Sequence, residues 1–129
     1  MQEEKSPSQQ KSKKKRVHQG EVYMVAISDT VGSEQDLRGR PCVIVQNEVG
    51  NEHSKTTIIV PLTKRRKRNL PTHYLLKKED YPFLGYDSLV LAEQIRCIDS
   101  KARFLERKIG ELKEEDIREI IKIIYNNFV

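Results

Sequence analysis

The residues of this chain best suited to chemistry stand close together along its first half. Gly32-Ser33-Glu34-Gln35 is followed by Arg40-Pro41 and then Gln46-Asn47, and Thr63 stands directly ahead of the run Lys64-Arg65-Arg66-Lys67-Arg68. A guanidinium offers a planar fork of donors that matches a phosphate, and a proline after Arg40 fixes the backbone at a strand entrance. Arg40 and Thr63 at adjacent strand ends can therefore donate to one phosphate. The residue types alone leave a second reading open, in which Arg40 pairs with a carboxylate and Thr63 caps a turn. No Walker loop, no H-E-x-x-H and no G-x-S-x-G occurs, so the common nucleotide, zinc-protease and serine-hydrolase signatures are absent.

The charge distribution points the same way as the Arg and Thr pair. The net charge is +5 over 129 residues, and residues 1–16 alone carry six basic residues against Glu3 and Glu4. A second basic cluster runs from Lys64 to Arg68, which leaves the remaining body slightly acidic. Segregated Lys and Arg suit contact with a polyanion at particular places; a solvated tail and a solvated loop are the plainer alternative. Cys42 and Cys97 form no C-x-x-C pair, and His18, His53 and His73 have no metal-ligand spacing with them. The expectation is reduced core thiols in a cytoplasmic protein, without a metal. The apolar runs are too short to cross a bilayer, and the basic N-terminus has no apolar stretch behind it to make a secretory signal.

These side chains need strands to hold them. Residues 1–17 are rich in Gln, Ser and Lys and read as a basic disordered arm, with a single folded domain over 18–129. Apolar runs predict strands from Glu21 to Ile27, Cys42 to Gln46, Thr56 to Leu62, Thr72 to Leu76, Ser88 to Ala92, Ile95 to Ile98 and Ala102 to Ile109. The first is short and apolar enough to be buried on both faces; the second and third read as an antiparallel hairpin joined by turn residues Asn47 to Lys55. Ser28 to Arg40 forms a long loop of the kind that carries function. Ile117, Ile120, Ile121, Ile124 and Phe128 share one face of an amphipathic helix over Glu114 to Asn127, with Glu114, Glu115 and Asp116 in its first turn. The whole predicts a mainly β protein, a small antiparallel barrel with a C-terminal helix.

Five collinear pieces carry a resemblance. Gly20-Glu21-Val22-Tyr23, Gly32-Ser33-Glu34-Gln35, Arg40-Pro41-Cys42-Val43-Ile44-Val45-Gln46-Asn47, Leu70-Pro71-Thr72-His73 and Glu93-Gln94-Ile95-Arg96-Cys97-Ile98-Asp99 resemble the MazF/PemK family of toxin endoribonucleases. The resemblance implies an SH3-like β-barrel of the PemK/CcdB type. It further implies a homodimer that cuts single-stranded mRNA at short motifs without a metal or other cofactor, neutralised by an acidic MazE-like antitoxin. Matched position by position, Arg40 and Thr63 are the catalytic residues. Ser33, Glu34 and Gln35 then belong to a loop beside the RNA, and Gln94 and Arg96 face the same groove; Lys64, Arg65 and Arg66 lie in a basic run where relatives are expected to differ, and their charge makes them expected RNA contacts. The basic arm lies outside the family pattern.

The implied reaction is attack of a ribose 2′-OH on its own 3′ phosphate, giving a cyclic phosphate and a 5′-OH. Charge gathering on the phosphoryl oxygens suits a fixed guanidinium and a hydroxyl. Arg is a poor general base, so the proton-transfer groups stay open. Two other classes keep the same fold: a CcdB-like poison of DNA gyrase, and a noncatalytic RNA-binding barrel. Sparse aromatic residues weigh against an extended stacking platform in the latter.

Overall fold

Alternating apolar side chains build one curled antiparallel sheet with a core on each face. The computed structural model describes residues 16–26, 39–65, 70–99 and 104–129, the side chains of 104–107 excepted. Its strands are β1 (Glu21–Val25), β2 (Arg40–Ile44), β3 (Thr56–Lys64), β4 (His73–Leu76), β5 (Ser88–Leu91), β6 (Arg96–Asp99) and β7 (Phe104–Glu111), with helices α1 (Glu48–His53) and α2 (Glu114–Asn126). The sheet order is β4-β5-β3-β2-β1-β7, and β6 pairs with β3 off that path. The fold is thus mainly β with a C-terminal helix, its strands close to the bounds expected from sequence.

The register explains the two cores. Val22 pairs with Val43 and Val43 with Val60, so one row of valines crosses three strands on a single face. All three are fully buried, and Leu62, Leu76, Val90, Leu112, Ile117 and Ile120 pack with them. On the opposite face, Ile44 pairs with Ile59, and these join Val17, Val25, Cys42 and Ile98 in a second cluster. Each such side chain contributes roughly 1.5–3 kcal/mol when fully buried. Val22 and Val25 belong to different clusters, so β1 is buried on both faces as its composition indicates. Val17, assigned to the arm by sequence, is 3% exposed, whereas residues 1–15 lie outside the described residues.

Two local expectations need correction. Asn47 to Lys55 is not a simple turn, because it contains α1. The Asn47 side chain caps it by accepting the Gly50 N–H at 2.9 Å. Buried Asn51 then accepts from Thr57 Oγ1 at 2.7 Å and Gln46 Nε2 at 3.0 Å, and donates to the Gln46 carbonyl. Satisfied polar groups hold this helix down, so it carries no apolar periodicity. The second correction concerns α2, whose apolar stripe is wider than its contact with the sheet. Ile117 and Ile120 are buried, while Ile121 and Phe128 are 37% and 74% exposed.

The start of α2 is fastened by polar groups. Asp116 accepts a hydrogen bond from Tyr74 at 2.5 Å and another from Tyr81, and the Tyr81 oxygen accepts the Lys113 N–H at 2.9 Å. Burial and the bond to Asp116 push the Tyr81 hydroxyl up to about 12. The 3₁₀ turn Pro82–Leu84 lays Phe83 against Gly110, where a Cβ would come within 2.3 Å of the ring. Among the described residues, no helix is long and apolar enough to cross a membrane.

Candidate active site at the strand ends

Gly39 brings the chain into β2 with φ 81°, a left-handed conformation that glycine adopts freely, and Pro41 then fixes the next backbone angle. Arg40 opens the strand between them and pairs with Val25 of β1. Side chains alternate along a strand, so Arg40 shares a face with Cys42 and Ile44, and Thr63 shares a face with Pro61 and Ile59. Cys42 pairs with Pro61 and Ile44 with Ile59, which makes these the same face of the sheet. The β2–β3 pairing runs from Ile44–Ile59 to Cys42–Pro61, and Arg40 and Thr63 each lie two residues beyond its last pair, where β3 goes on to pair with β5. Thr63 lies inside β3, paired with Leu89 of β5, and does not cap a turn.

Arg96 arrives on this face from a third strand. It pairs with Ile59 in the β6–β3 ladder, and the turn before it is fixed through Glu93. Glu93 accepts from Thr72 Oγ1 at 3.0 Å and lies 3.3 Å from His73 Nε2. Its partial burial opposes ionisation, but its turn's own backbone N–H, Thr72 and His73 outweigh this and hold the carboxyl below its usual value. Leu70 N–H donates to His73 Nδ1 at 3.2 Å, so Nε2 carries the proton facing Glu93 in the neutral ring.

Cys42 is buried on the face that Arg40 shares. Burial pushes its thiol up to about 12, and the positive charges of Arg40 and then Arg96 pull the other way. Among the described residues no carboxylate is ion-paired with Arg40. Nor do the described residues place three or more His, Cys, Asp or Glu around a point suited to a metal.

The basic residues that follow Thr63 lead out of the strand. Lys64 and Arg65 are exposed, and Arg65 N–H is bound to the Asp87 carbonyl at 2.9 Å. Together with Lys78, Tyr86 and Asp87 they line a cleft of about 260 Å³. Gln94, exposed, ends the Ala92–Gln94 turn ahead of Arg96, while Ala92 at its start is buried. Ser33, Glu34, Gln35 and Arg66 lie outside the described residues. Sequence reading missed Lys78 and Tyr86, which stand far from Lys64 along the chain and carry no motif; only the pairing of β3 and β4 with β5 brings them together.

Residues 18–128 match the family described as PemK-like, MazF-like toxin of type II toxin-antitoxin system. The chain belongs to this toxin family. Solved structures of similar fold include an endoribonuclease from Mycobacterial species, 21% identical, with a TM-score of 0.67 over 88% of this chain and 91% of that one. A mycobacterial endoribonuclease in complex with its cognate antitoxin is 22% identical, with a TM-score of 0.66 over 87% and 94%. MazF from Deinococcus radiodurans is 21% identical, with a TM-score of 0.65 over 87% and 96%. The curled sheet of this PemK-like, MazF-like chain therefore spans nearly the full length of each relative.

Proposed function

We propose that this toxin is a sequence-specific, metal-independent endoribonuclease that cleaves single-stranded RNA and so stops translation. The observation that supports the reading is that Arg40 and Thr63 each lie two residues beyond the Cys42–Pro61 pair of neighbouring strands, with Arg40 in no ion pair among the described residues. The substrate supplies the nucleophile. A ribose 2′-oxygen bonds to the adjacent phosphorus, the bond from phosphorus to the 5′-oxygen breaks, the 2′ proton leaves and a proton reaches the 5′-oxygen. The products are a 2′,3′-cyclic phosphate and a 5′-OH. Arg40 and Thr63 donate to the phosphoryl oxygens as their charge grows, and Arg96 adds a second positive charge to the same field. DNA lacks the 2′-OH and is not a substrate.

The toxin acts in the cytoplasm as a homodimer and is neutralised by an acidic MazE-like antitoxin; the family and the mycobacterial relative solved with its cognate antitoxin support this. The deciding experiment incubates purified protein with long single-stranded RNA in EDTA and maps the fragment ends. Discrete cuts ending in cyclic phosphate, absent with Arg40→Ala, are the expected result. Intact RNA from a folded dimer free of antitoxin, across RNAs of varied sequence, overturns the reading.

A further inference from the structure

We propose that the cleft at the end of β3 is a nucleotide subsite, in which the Tyr86 ring stacks on one unpaired base of the RNA while Lys64, Arg65 and Lys78 hold its phosphate. The inference rests on the ribonuclease reading and assigns a specific neighbour to the cleaved bond. Its first support is position: β3 runs directly from Thr63 into Lys64 and Arg65, so a strand leaving the Arg40–Thr63 pair along β3 meets this cleft next. The second is construction. Asp87 fastens both cation-bearing segments, its carbonyl accepting the Arg65 N–H at 2.9 Å and its Oδ1 accepting the Lys78 N–H at 2.9 Å. The cations are thus set around the cleft by a built turn.

The third support is chemical. Tyr86 is 40% exposed beside three cations, and Lys64 Nζ stands 5.6 Å from its ring centroid. The ring lines an open cleft of about 260 Å³, room enough for one base, whose lining sets these three cations against the single carboxylate of Asp87. A π face beside positive charge is what an unpaired nucleotide satisfies at once, base on ring and phosphate on ammonium or guanidinium. An acidic peptide would engage the cations and leave the ring without a role. A single ring also fits the low aromatic content: one position is read by stacking, and the rest of the strand is held by charge.

The test uses the full chain and an RNA oligonucleotide carrying the mapped cleavage motif, with 2′-deoxyribose at the attacked position so that it binds without being cut. Tyr86→Ala is expected to weaken binding about tenfold, Tyr86→Phe to leave it near the wild-type value, and Lys78→Ala to reduce the salt dependence by about one phosphate contact. Abasic substitution at one position beside the cleaved bond is expected to weaken wild type but not Tyr86→Ala, which identifies the stacked base. Equal abasic penalties in the two proteins at every position, or unchanged binding by Tyr86→Ala, overturn the subsite. So does an acidic peptide whose affinity, unlike that of RNA, falls in Tyr86→Ala. A wild-type chain that cuts and binds no RNA removes the ribonuclease reading and the subsite together, whereas normal cutting with an indifferent Tyr86 removes the subsite alone.

Discussion

Arg96 stands opposite Ile59 in the β6–β3 ladder, and through Ile59 it is tied to the strand that carries Arg40. Ile59 pairs with Arg96 on one edge of β3 and with Ile44 of β2 on the other, so three strands share one transverse row. The alternation that buries Ile44 and Ile59 therefore also decides which way both guanidinium groups point. A slip of one residue in either pairing would turn an arginine to the opposite face.

If Arg40 acts through its fork of donors, charge alone does not replace it. Arg40→Lys is expected to lose most of the roughly 10²–10³-fold in cleavage rate attributable to one transition-state donor, and Thr63→Ala a comparable amount. Thr63→Ser keeps the hydroxyl and most of the activity. Single-turnover cleavage of a short RNA measures all three, and wild-type rates in Arg40→Lys or Thr63→Ala would remove that residue from the site.

The two thiols differ in reactivity. Cys42 is buried with its thiol pushed up to about 12, while Cys97 is exposed. Because the thiolate is the nucleophile, native protein treated with iodoacetamide near neutral pH is expected to gain one adduct, at Cys97. Unfolding in urea should expose the second. Rapid native labelling of Cys42 would show that its face opens.

Alkaline pH is expected to loosen α2. The Tyr81 hydroxyl is raised from 10.0 to about 12, so between these values the folded protein binds the proton that the unfolded chain has released. Stability falls as pH rises through that window, and full benefit is present below it. Tyr81→Phe removes the bonds to Asp116 and Lys113 and is expected to cost about 1–3 kcal/mol near neutral pH while flattening the alkaline slope. Urea titrations from pH 9 to 12 test both effects; an undiminished slope in Tyr81→Phe would assign it to other groups.

Glu93 is expected to govern the acid side in the opposite sense. Its carboxyl is held below the ordinary 4.5, so its contribution is present above that value and disappears as pH falls through the lowered one. Glu93→Gln is expected to shrink the loss of stability below pH 4.5 and also to slow cleavage, because the turn that delivers Arg96 loses its hold on His73. Cleavage at the wild-type rate would confine Glu93 to a structural role.

Neighbouring isoleucines of α2 should behave differently. Ile120 is fully buried and Ile121 is 37% exposed. Ile120→Ala is expected to cost about 2–5 kcal/mol, and Ile121→Ala at most about 0.5 kcal/mol in the monomer. Urea denaturation at low protein concentration checks the contrast; equal losses would mean that the Ile121 side chain has a partner surface.

Much of the fold was legible because burial writes a period into the chain. The valines and isoleucines of β1, β2 and β3 announce strands, and Ile117, Ile120 and Ile124 announce α2. Periodicity does not say how wide the buried stripe is, which is why Ile121 and Phe128 read as core and are exposed. It is also blind to α1, held by Asn47, Asn51, Gln46 and Thr57 through hydrogen bonds. For the site, Arg40-Pro41 and Thr63 were readable as donors near strand ends, but only the Cys42–Pro61 pairing shows that they follow one paired position on neighbouring strands. Lys78 and Tyr86 were invisible in sequence, since their neighbourhood is made by β5 pairing with β3 and β4.

The sharing of β3 among β2, β5 and β6 also bears on the order in which the sheet can assemble. Arg40 and Thr63 leave the ribosome well before Arg96, and the strand bearing Arg96 joins only by pairing along the first half of β3. Long-range pairing of this kind closes late, since the chain must loop back before any contact rewards it. The face that carries both Arg40 and Arg96 is therefore complete only once β6 has been translated and has paired with β3.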